Sequence, residues 1–313
     1  MKCDFKEHPR KAYGQMLTEL GDVNPNIVVL DADLSCSTQT QIFAKKYPGR
    51  FFNVGVAEQN LMGISAGLAL GGKTVFTSAF AMFGTGRSWE QVRNTICYDK
   101  LNVKLVLTHA GITVGKDGAS HQALEDISLM RSIPNMRVMV PADSNQTRAM
   151  VRFAAEYDGP VYIRLTREAM PQIFDDLSVD CVKPNILFEG SDVSIFACGL
   201  MVAESIKALA ELKKKGISAA LINMHTIKPL DAKTVISEAK KTGAIVTVEE
   251  HSIIGGLGSA VAEVLSENHP TPLQRVGTQD LFGKSGDAPD LMKQYHLTPE
   301  DIVKAAEKVV KRK

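Results

Sequence analysis

Several things are missing from this 313-residue chain, and each absence excludes a class of protein. No apolar run approaches the ~18 residues that a membrane-crossing helix needs. No charge of either sign dominates: 36 Lys and Arg stand against 35 Asp and Glu, a net charge of +1. That balance gives no reason to expect nucleic acid or an anionic membrane as a partner. Five cysteines (Cys3, Cys36, Cys97, Cys181, Cys198) are scattered, odd in number and never in a C-x-x-C pair. This argues against a disulfide framework or structural zinc and for a reducing, cytoplasmic setting. The polar opening M-K-C-D-F-K-E-H-P-R has no signal-peptide character. There is no short internal repeat and no low-complexity tract. No G-x-G-x-x-G follows the first strand candidate, so a simple dinucleotide-binding enzyme is disfavoured.

What is present describes an ordinary globular protein. Hydrophobic residues make up 44% and charged residues 23%. That composition supports a sizeable core, and the length suggests two domains. Strand-like segments at Ile27–Leu30, Phe51–Val54, Thr74–Thr77, Val103–Leu107, Arg137–Val140 and Val161–Ile163 alternate with helical patterns near 10–22, 58–70, 85–99, 122–131 and 144–156. Such alternation predicts a mostly parallel sheet covered by helices on both faces. Around 170–190 two prolines interrupt the pattern, which reads as a linker or extended crossover. The alternation then restarts at Val193–Ala197, with helices predicted at 201–214, 231–241, 257–268 and 299–311 and strands at Ile217–Ile222 and Ile245–Val248. The expectation is two doubly wound, mostly parallel α/β domains: 1–172, a linker 173–190, and 191–313. The basic tail Lys308–Lys313 complements the dipole of the last helix.

The richest segment is Thr108–Gln122, T-H-A-G-I-T-V-G-K-D-G-A-S-H-Q. It follows the strand Val103–Leu107 and has neither helical nor strand period. A Gly-rich loop with ionisable groups at the carboxyl end of a parallel strand sits where open α/β sheets bind ligands. His109 and His121 can exchange protons near neutral pH, and Asp117 can hydrogen-bond hydroxyls. A solvated loop with idle histidines is the plain alternative; two histidines and an aspartate among three glycines favour function.

Weaker signals surround it. G-V-A-E-Q-N, Gly55–Asn60, places Glu58 in the first turn of a helix, where the dipole alone would favour an acid. Leu61, Ile64 and Leu68 share one face of that helix, and Gly63, Gly67 and Gly71 recur at a spacing that lets another helix approach closely, even between subunits. Phe80 and Phe83 follow a strand end, where a flat heteroaromatic ring could stack or where they could simply be core. Asp31 and Asp33, followed by Ser35 and Ser37, suit a polar pocket, or Asp33 and Ser35 could cap a helix. Arg10, Arg164 and Arg167 could clamp a phosphate, although most arginines pair on the surface.

Taken in order, G-V-A-E-Q-N, the F-A-M-F loop, T-H-A-G-I-T-V-G-K-D-G-A-S-H-Q, R-S-I-P-N-M-R-V-M-V-P-A-D and V-E-E-H-S-I-I-G-G-L-G-S-A-V make the whole chain resemble the C-terminal half of transketolase. That half joins the pyrimidine-binding domain of thiamine diphosphate enzymes to a small C-terminal domain. The resemblance implies reversible transfer of a two-carbon ketol unit from a ketose phosphate to an aldose phosphate, through the thiamine diphosphate ylid. It implies that Glu58 hydrogen-bonds the cofactor's aminopyrimidine and favours the tautomer that takes the thiazolium proton. A buried carboxyl without a cationic partner would hold that proton through a raised pKa. Phe80 and Phe83 match residues that stack on the pyrimidine, and Asp33 matches a position near the cofactor at the subunit interface. Asp117 and His121 match contacts to substrate hydroxyls, with His121 assisting proton transfer. Arg10, Ser37, His109 and Arg167 match the sugar-phosphate site. Gly86 stands where the family's pocket carries a third aromatic.

The family's metal-binding G-D-G with a later Asn is absent: K-D-G at 116–118 lies in the substrate loop and S-G-D-A at 285–288 in the second domain. The resemblance therefore implies a split transketolase, with the diphosphate and Mg²⁺ held by an N-terminal partner subunit, and with this chain also pairing with itself as a dimer. Alternatives are a deoxyxylulose phosphate synthase-like subunit, although that family carries Arg where His109 stands; the beta chain of a 2-oxo acid dehydrogenase; a transketolase for a specialised sugar; or a non-catalytic regulatory paralogue. In the second domain Glu249, Glu250 and His251 precede the Gly-rich turn Gly255–Gly258. That arrangement reads as an anion-binding helix N-terminus or, preferably, as a structural or dimer contact.

Overall fold

The computed structural model describes residues 6–313. Cys3 lies outside them. The strands, in chain order, are β1 (Lys6–Glu7), β2 (Ile27–Asp31), β3 (Phe51–Asn53), β4 (Thr74–Ser78), β5 (Val103–Leu107), β6 (Arg137–Met139), β7 (Val161–Arg164), β8 (Met170–Pro171), β9 (Asn185–Phe188), β10 (Val193–Ala197), β11 (Ala219–Asn223), β12 (Thr226–Lys228), β13 (Ile245–Ser252) and β14 (Leu273–Thr278). Strands β2, β4, β5, β7 and β10 are buried along their whole length. Each carries Val, Ile, Leu, Phe or Tyr on both faces, as a sheet covered on both sides requires.

Two sheets carry the molecule, and the α/β expectation holds. The first runs β12-β6-β7-β5-β4-β2-β3 and is parallel except for β12. The second runs β14-β13-β10-β11-β9 and is parallel except for β9. A short antiparallel pair, β1 with β8, closes one side. Five strands were not read in the sequence: β1, β8, β9, β12 and β14. β9 lies inside the stretch read as a linker, and β12 comes from the later part of the chain but joins the first sheet. Both are edge strands of three or four residues, too short to show a period.

Three apolar clusters hold the layers together. One, with Tyr13, Phe43, Phe76 and Met150, fills the outer face of the first sheet. Another, with Ile195, Leu212, Leu297 and Ile302, fills the outer face of the second. The largest lies between the sheets and takes Leu61, Leu105, Met130 and Val140 from the first half of the chain with Phe196, Ile222, Ile227 and Leu257 from the second. At roughly 1.5–3 kcal/mol for each fully buried large side chain, this shared layer couples the two sheets firmly.

The helix expected at 85–99 takes a different form. Met82–Arg87 and Val92–Cys97 are π-helical turns flanking a short α-turn, Trp89–Gln91. Thr85 and Ser88 donate their hydroxyls to the carbonyls of Ala81 and Gly84, which competes with regular helix bonding. The widened turn seats Gly84 on Leu107, where a Cβ would come within 2.6 Å of the leucine. The helix expected from 122 begins only at Asp126, because Gln122 is occupied in loop hydrogen bonds.

Candidate active site

Because β3, β2, β4, β5 and β7 lie in one parallel array, their carboxyl ends open on the same edge. Each delivers part of one site. The segment after β3 brings Glu58, β2 brings Asp33 and Ser37, β4 brings Phe80 and Phe83, β5 brings His109, Asp117 and His121, and β7 brings Arg167. Arg10 arrives from the helix Pro9–Val23, where its guanidinium donates to the Ser37 carbonyl at 2.6 Å.

One side of the site is a carboxylate beside flat rings. Glu58 opens the helix Glu58–Leu70 and is 2% exposed. Arg87 donates to its Oε2 at 2.8 Å and lies over the Phe83 ring, 4.8 Å from its centroid. The expectation of a buried carboxyl without a cationic partner is therefore corrected: Arg87 supplies the charge. Sequence reasoning missed this residue; its one signal was that it directly follows Gly86. Arg87 is half exposed, so the pair contributes only about 0–1 kcal/mol and is readily exchanged for another donor. Phe80 and Phe83 stack at 6.2 Å, with 27° between their planes. A Cβ on Gly86 would meet nothing within 4 Å, so the chain leaves open space there.

The other side is cationic. The buried His109 ring lies 3.9 Å from Phe80, and the His121 ring lies 5.2 Å from Phe83. Thr108 Oγ1 and His109 Nδ1 share a hydrogen bond of 2.8 Å. Burial, then the charges of Arg10, Arg167 and His121, push the His109 pKa down to about 3. Burial and the nearby Arg167 also lower that of Arg10. Arg167 donates to the Val114 carbonyl at 2.7 Å and approaches Asp117 at 3.5 Å. His109 and Asp33 both hold left-handed backbone, with φ of 59° and 63°. Such positions cost roughly 1 kcal/mol or more and cluster at functional sites.

Some expected members stand elsewhere. Arg164 is not a phosphate ligand. It is buried inside the protein, paired with Asp126 at 2.7 Å and donating to the Glu250 carbonyl at 2.9 Å. Strand alternation explains this, since neighbouring positions of an I-R-L-T-R run point to different faces. Asp33 is exposed and tied to Asn53, whose Nδ2 donates to it at 2.8 Å. The helix-cap alternative fails for Asp33 and Ser35, because Asp31 accepts the bonds from Leu34 N, Thr38 and Thr40. On the Glu58 helix, Leu61 is buried but Ile64 is 37% exposed. Ile64 thus belongs with Gly63 and Gly67, where nothing in this chain packs. The Gly-rich turn of the second domain is no free anion site: Glu249 accepts from Leu257 N and Gly258 N and fills that helix N-terminus with the chain's own carboxylate.

A buried carboxylate, stacked aromatics and a cationic pocket thus meet on one edge of a parallel α/β sheet, where such sheets bind ligands. Comparison with known proteins narrows the class. Residues 8–172 match the pyrimidine binding domain of transketolase, and residues 183–302 match the transketolase C-terminal domain. The chain is 45% identical to a 6-deoxy-6-sulfo-D-fructose transketolase subunit of a Clostridium species, over 97% of this chain and 95% of that protein. A solved split-gene transketolase, described as an inactive beta4 tetramer, shares 53% identity with a TM-score of 0.91, covering 97% of this chain and 98% of that one. A transketolase from Pichia stipitis in complex with sedoheptulose 7-phosphate shares 26% identity with a TM-score of 0.85, covering all of this chain but 47% of the other. The chain belongs to the transketolase family, a thiamine diphosphate-dependent class of transferases.

The residues fit the pyrimidine end of that cofactor. A carboxylate held by a displaceable donor can accept from a ring N–H or amino group, and Phe80 and Phe83 offer flat faces. They do not fit the metal end, since no cluster of three or more His, Cys, Asp or Glu side chains suited to a metal occurs among the described residues.

Proposed function

We propose that this chain is the C-terminal subunit of a two-chain transketolase. In this reading it supplies Glu58, Phe80 and Phe83 to the cofactor's pyrimidine, and Arg10, Ser37, His109, Asp117, His121 and Arg167 to a sugar phosphate. An N-terminal subunit supplies the diphosphate site and Mg²⁺. The observation that carries the reading is the convergence of Glu58, the two phenylalanines and the cationic pocket on one sheet edge. The open glycine face of the Glu58–Leu70 helix supports close packing against another subunit, whether the N-terminal partner or a second copy. Buried, unpaired Cys97, Cys181 and Cys198 suit a cytoplasmic setting.

The reaction transfers a two-carbon ketol unit reversibly between a ketose phosphate and an aldose phosphate. Thiamine diphosphate, when bound, supplies the carbon nucleophile and electron sink. Glu58 accepts a hydrogen bond from the aminopyrimidine and steers its proton, releasing Arg87 as it does so. His109 is kept neutral by its surroundings, so it offers the sugar a hydrogen bond rather than a charge, while Arg10 and Arg167 carry the charge that attracts the phosphate. Asp117 and His121 orient the sugar hydroxyls, and His121 moves a proton at the reacting carbonyl oxygen. A sulfonate-bearing ketose is a second reading, favoured by the sulfosugar subunit among the relatives and by the same cationic pocket.

Calorimetric titration of the chain alone with thiamine diphosphate and Mg²⁺ tests the division of labour. Feeble binding, followed by tight binding and ketol transfer once an N-terminal subunit is added, is expected. Tight metal-dependent binding by the chain alone would overturn it.

A further inference from the structure

The second domain has no part in the reaction as proposed, yet it grips the loop Thr108–Gln122 at two points. At the first, Glu250 at the end of β13 reaches across to the first domain. Its Oε1 accepts from Thr113 N at 2.7 Å. Gly111, with φ of 90°, leaves room for that carboxylate: a Cβ there would come within 2.3 Å of the Glu250 carboxyl carbon. Arg164 locks β13 in place through the Glu250 carbonyl, and Asp126 and Tyr162 complete the buried network. At the second, Gln122 Nε2 donates to Ile112 O, Gly115 O and Lys284 O, the last at 2.9 Å and from the second domain. Ser285 donates to the Lys116 carbonyl at 2.7 Å. A Cβ on Gly283 would fall 1.7 Å from Gln122 Oε1, so the two surfaces interlock.

From this geometry we infer that the second domain is the clamp that sets the substrate loop, and that Glu250 is a positioning residue for His109, Asp117 and His121. His109 carries strained, left-handed backbone only two residues before Gly111. Strain of that kind persists where the surroundings over-determine the conformation. Thr108, Leu165 and Ala123 fix the near side of the strained turn. Glu250 fixes the far side, and it does so from another domain. The Glu250 Oε2 atom is buried without a partner, so one oxygen of this carboxyl holds the loop and the other is dispensable to it.

That asymmetry makes the inference testable. The substrate part of it rests on the proposed function, but the clamp does not, so the first measurement is amide exchange on the intact chain. In Glu250→Ala, exchange in residues 111–118 should accelerate by at least about tenfold relative to Val103–Leu107, the equivalent of one lost hydrogen bond. Glu250→Gln keeps an acceptor for Thr113 and should stay within about twofold of the native chain. Unchanged relative exchange in Glu250→Ala, or equal acceleration in both variants, would overturn the clamp. In the assembled enzyme Glu250→Ala should raise KM for the phosphorylated ketose by about tenfold and leave thiamine diphosphate affinity unchanged, because Glu58, Phe80 and Phe83 lie on other elements. Equal loss of both would mean general damage and would refute the positioning role.

Discussion

Replacing His109 with Asn should flatten the acid side of the stability profile. The imidazole is 4% exposed, and burial together with Arg10, Arg167 and His121 holds its pKa near 3 in the folded chain. In the unfolded chain it returns to about 6.5. Between those values the unfolded state binds the proton and the folded state does not, so stability rises with pH through the window and is complete above it. Linkage gives the size: from pH 7.5 to 5 the native chain should lose about 2 kcal/mol that His109→Asn does not. His225, also buried and pushed down to about 4, acts in the same direction in both proteins and cancels in the comparison. The carboxyls of Asp31, Asp143, Glu249 and Glu250, whose pKa values burial raises, act in the opposite direction but equally in both proteins, so they cancel too. Urea unfolding at pH 7.5, 6 and 5 on both proteins measures the double difference. Parallel curves would show that His109 takes up its proton as readily in the folded as in the unfolded chain, and the account of a neutral imidazole between two arginines would fail.

Three further outcomes follow from single contacts. Glu58→Gln should lower turnover of the assembled enzyme by ~10²–10⁴-fold while the melting temperature holds, because Arg87 is half exposed and rehydrates easily; a loss below tenfold would remove Glu58 from the chemistry. Asp126→Ala leaves Arg164 charged, buried and without its carboxylate, and should destabilise the chain by about 3–5 kcal/mol in urea unfolding; a cost under about 1 kcal/mol would mean another group neutralises it. Lys104 is buried against the carbonyls of Tyr157 and Gly159, both at 2.6 Å, and burial pushes its pKa down to about 7. The unfolded chain binds that proton up to about pH 10.4, so the native chain should gain stability relative to Lys104→Met between pH 7 and 10, and identical slopes would count against it.

The layered α/β plan was legible because its strands are long, apolar and fully buried, which few helices of this size imitate. Strand Val103–Leu107 and the helices at 58–70, 144–156, 201–214 and 257–268 were readable to the residue or nearly so. The site was legible as a set of strand ends, because parallel topology forces carboxyl ends to one edge. What failed was everything that depends on a side chain's direction. Arg164 and Arg167 stand three residues apart in one motif, yet one is buried in an ion pair and the other borders the pocket. Ile64 shares a helical face with Leu61 by spacing alone, but the glycines beside it leave that face uncovered. Arg87 and Glu250 carry no periodic signal, since each works through a partner 29 or 137 residues away.

The cationic pocket carries a consequence for the anion it takes. Burial first, and then the neighbouring positive charge, lower the pKa values of Arg10 and His109, which leaves a neutral His109 beside two guanidiniums. Asp117 offsets only part of this, at 3.5 Å from Arg167. The two guanidiniums leave the pocket positively charged, and a ligand gains with each negative charge it brings. One added charge at about 4 Å near a protein surface is worth about 4 kcal/mol before desolvation, which removes most of it. A phosphate ester should therefore bind the chain more tightly as pH rises through its second ionisation near 6, by at least about threefold. A sulfonate, which has no second ionisation, should show no such rise. Competition between methyl phosphate and methanesulfonate from pH 5.5 to 7.5 separates the two, and parallel profiles would mean that the arginines are engaged by the protein's own carbonyls and do not read ligand charge.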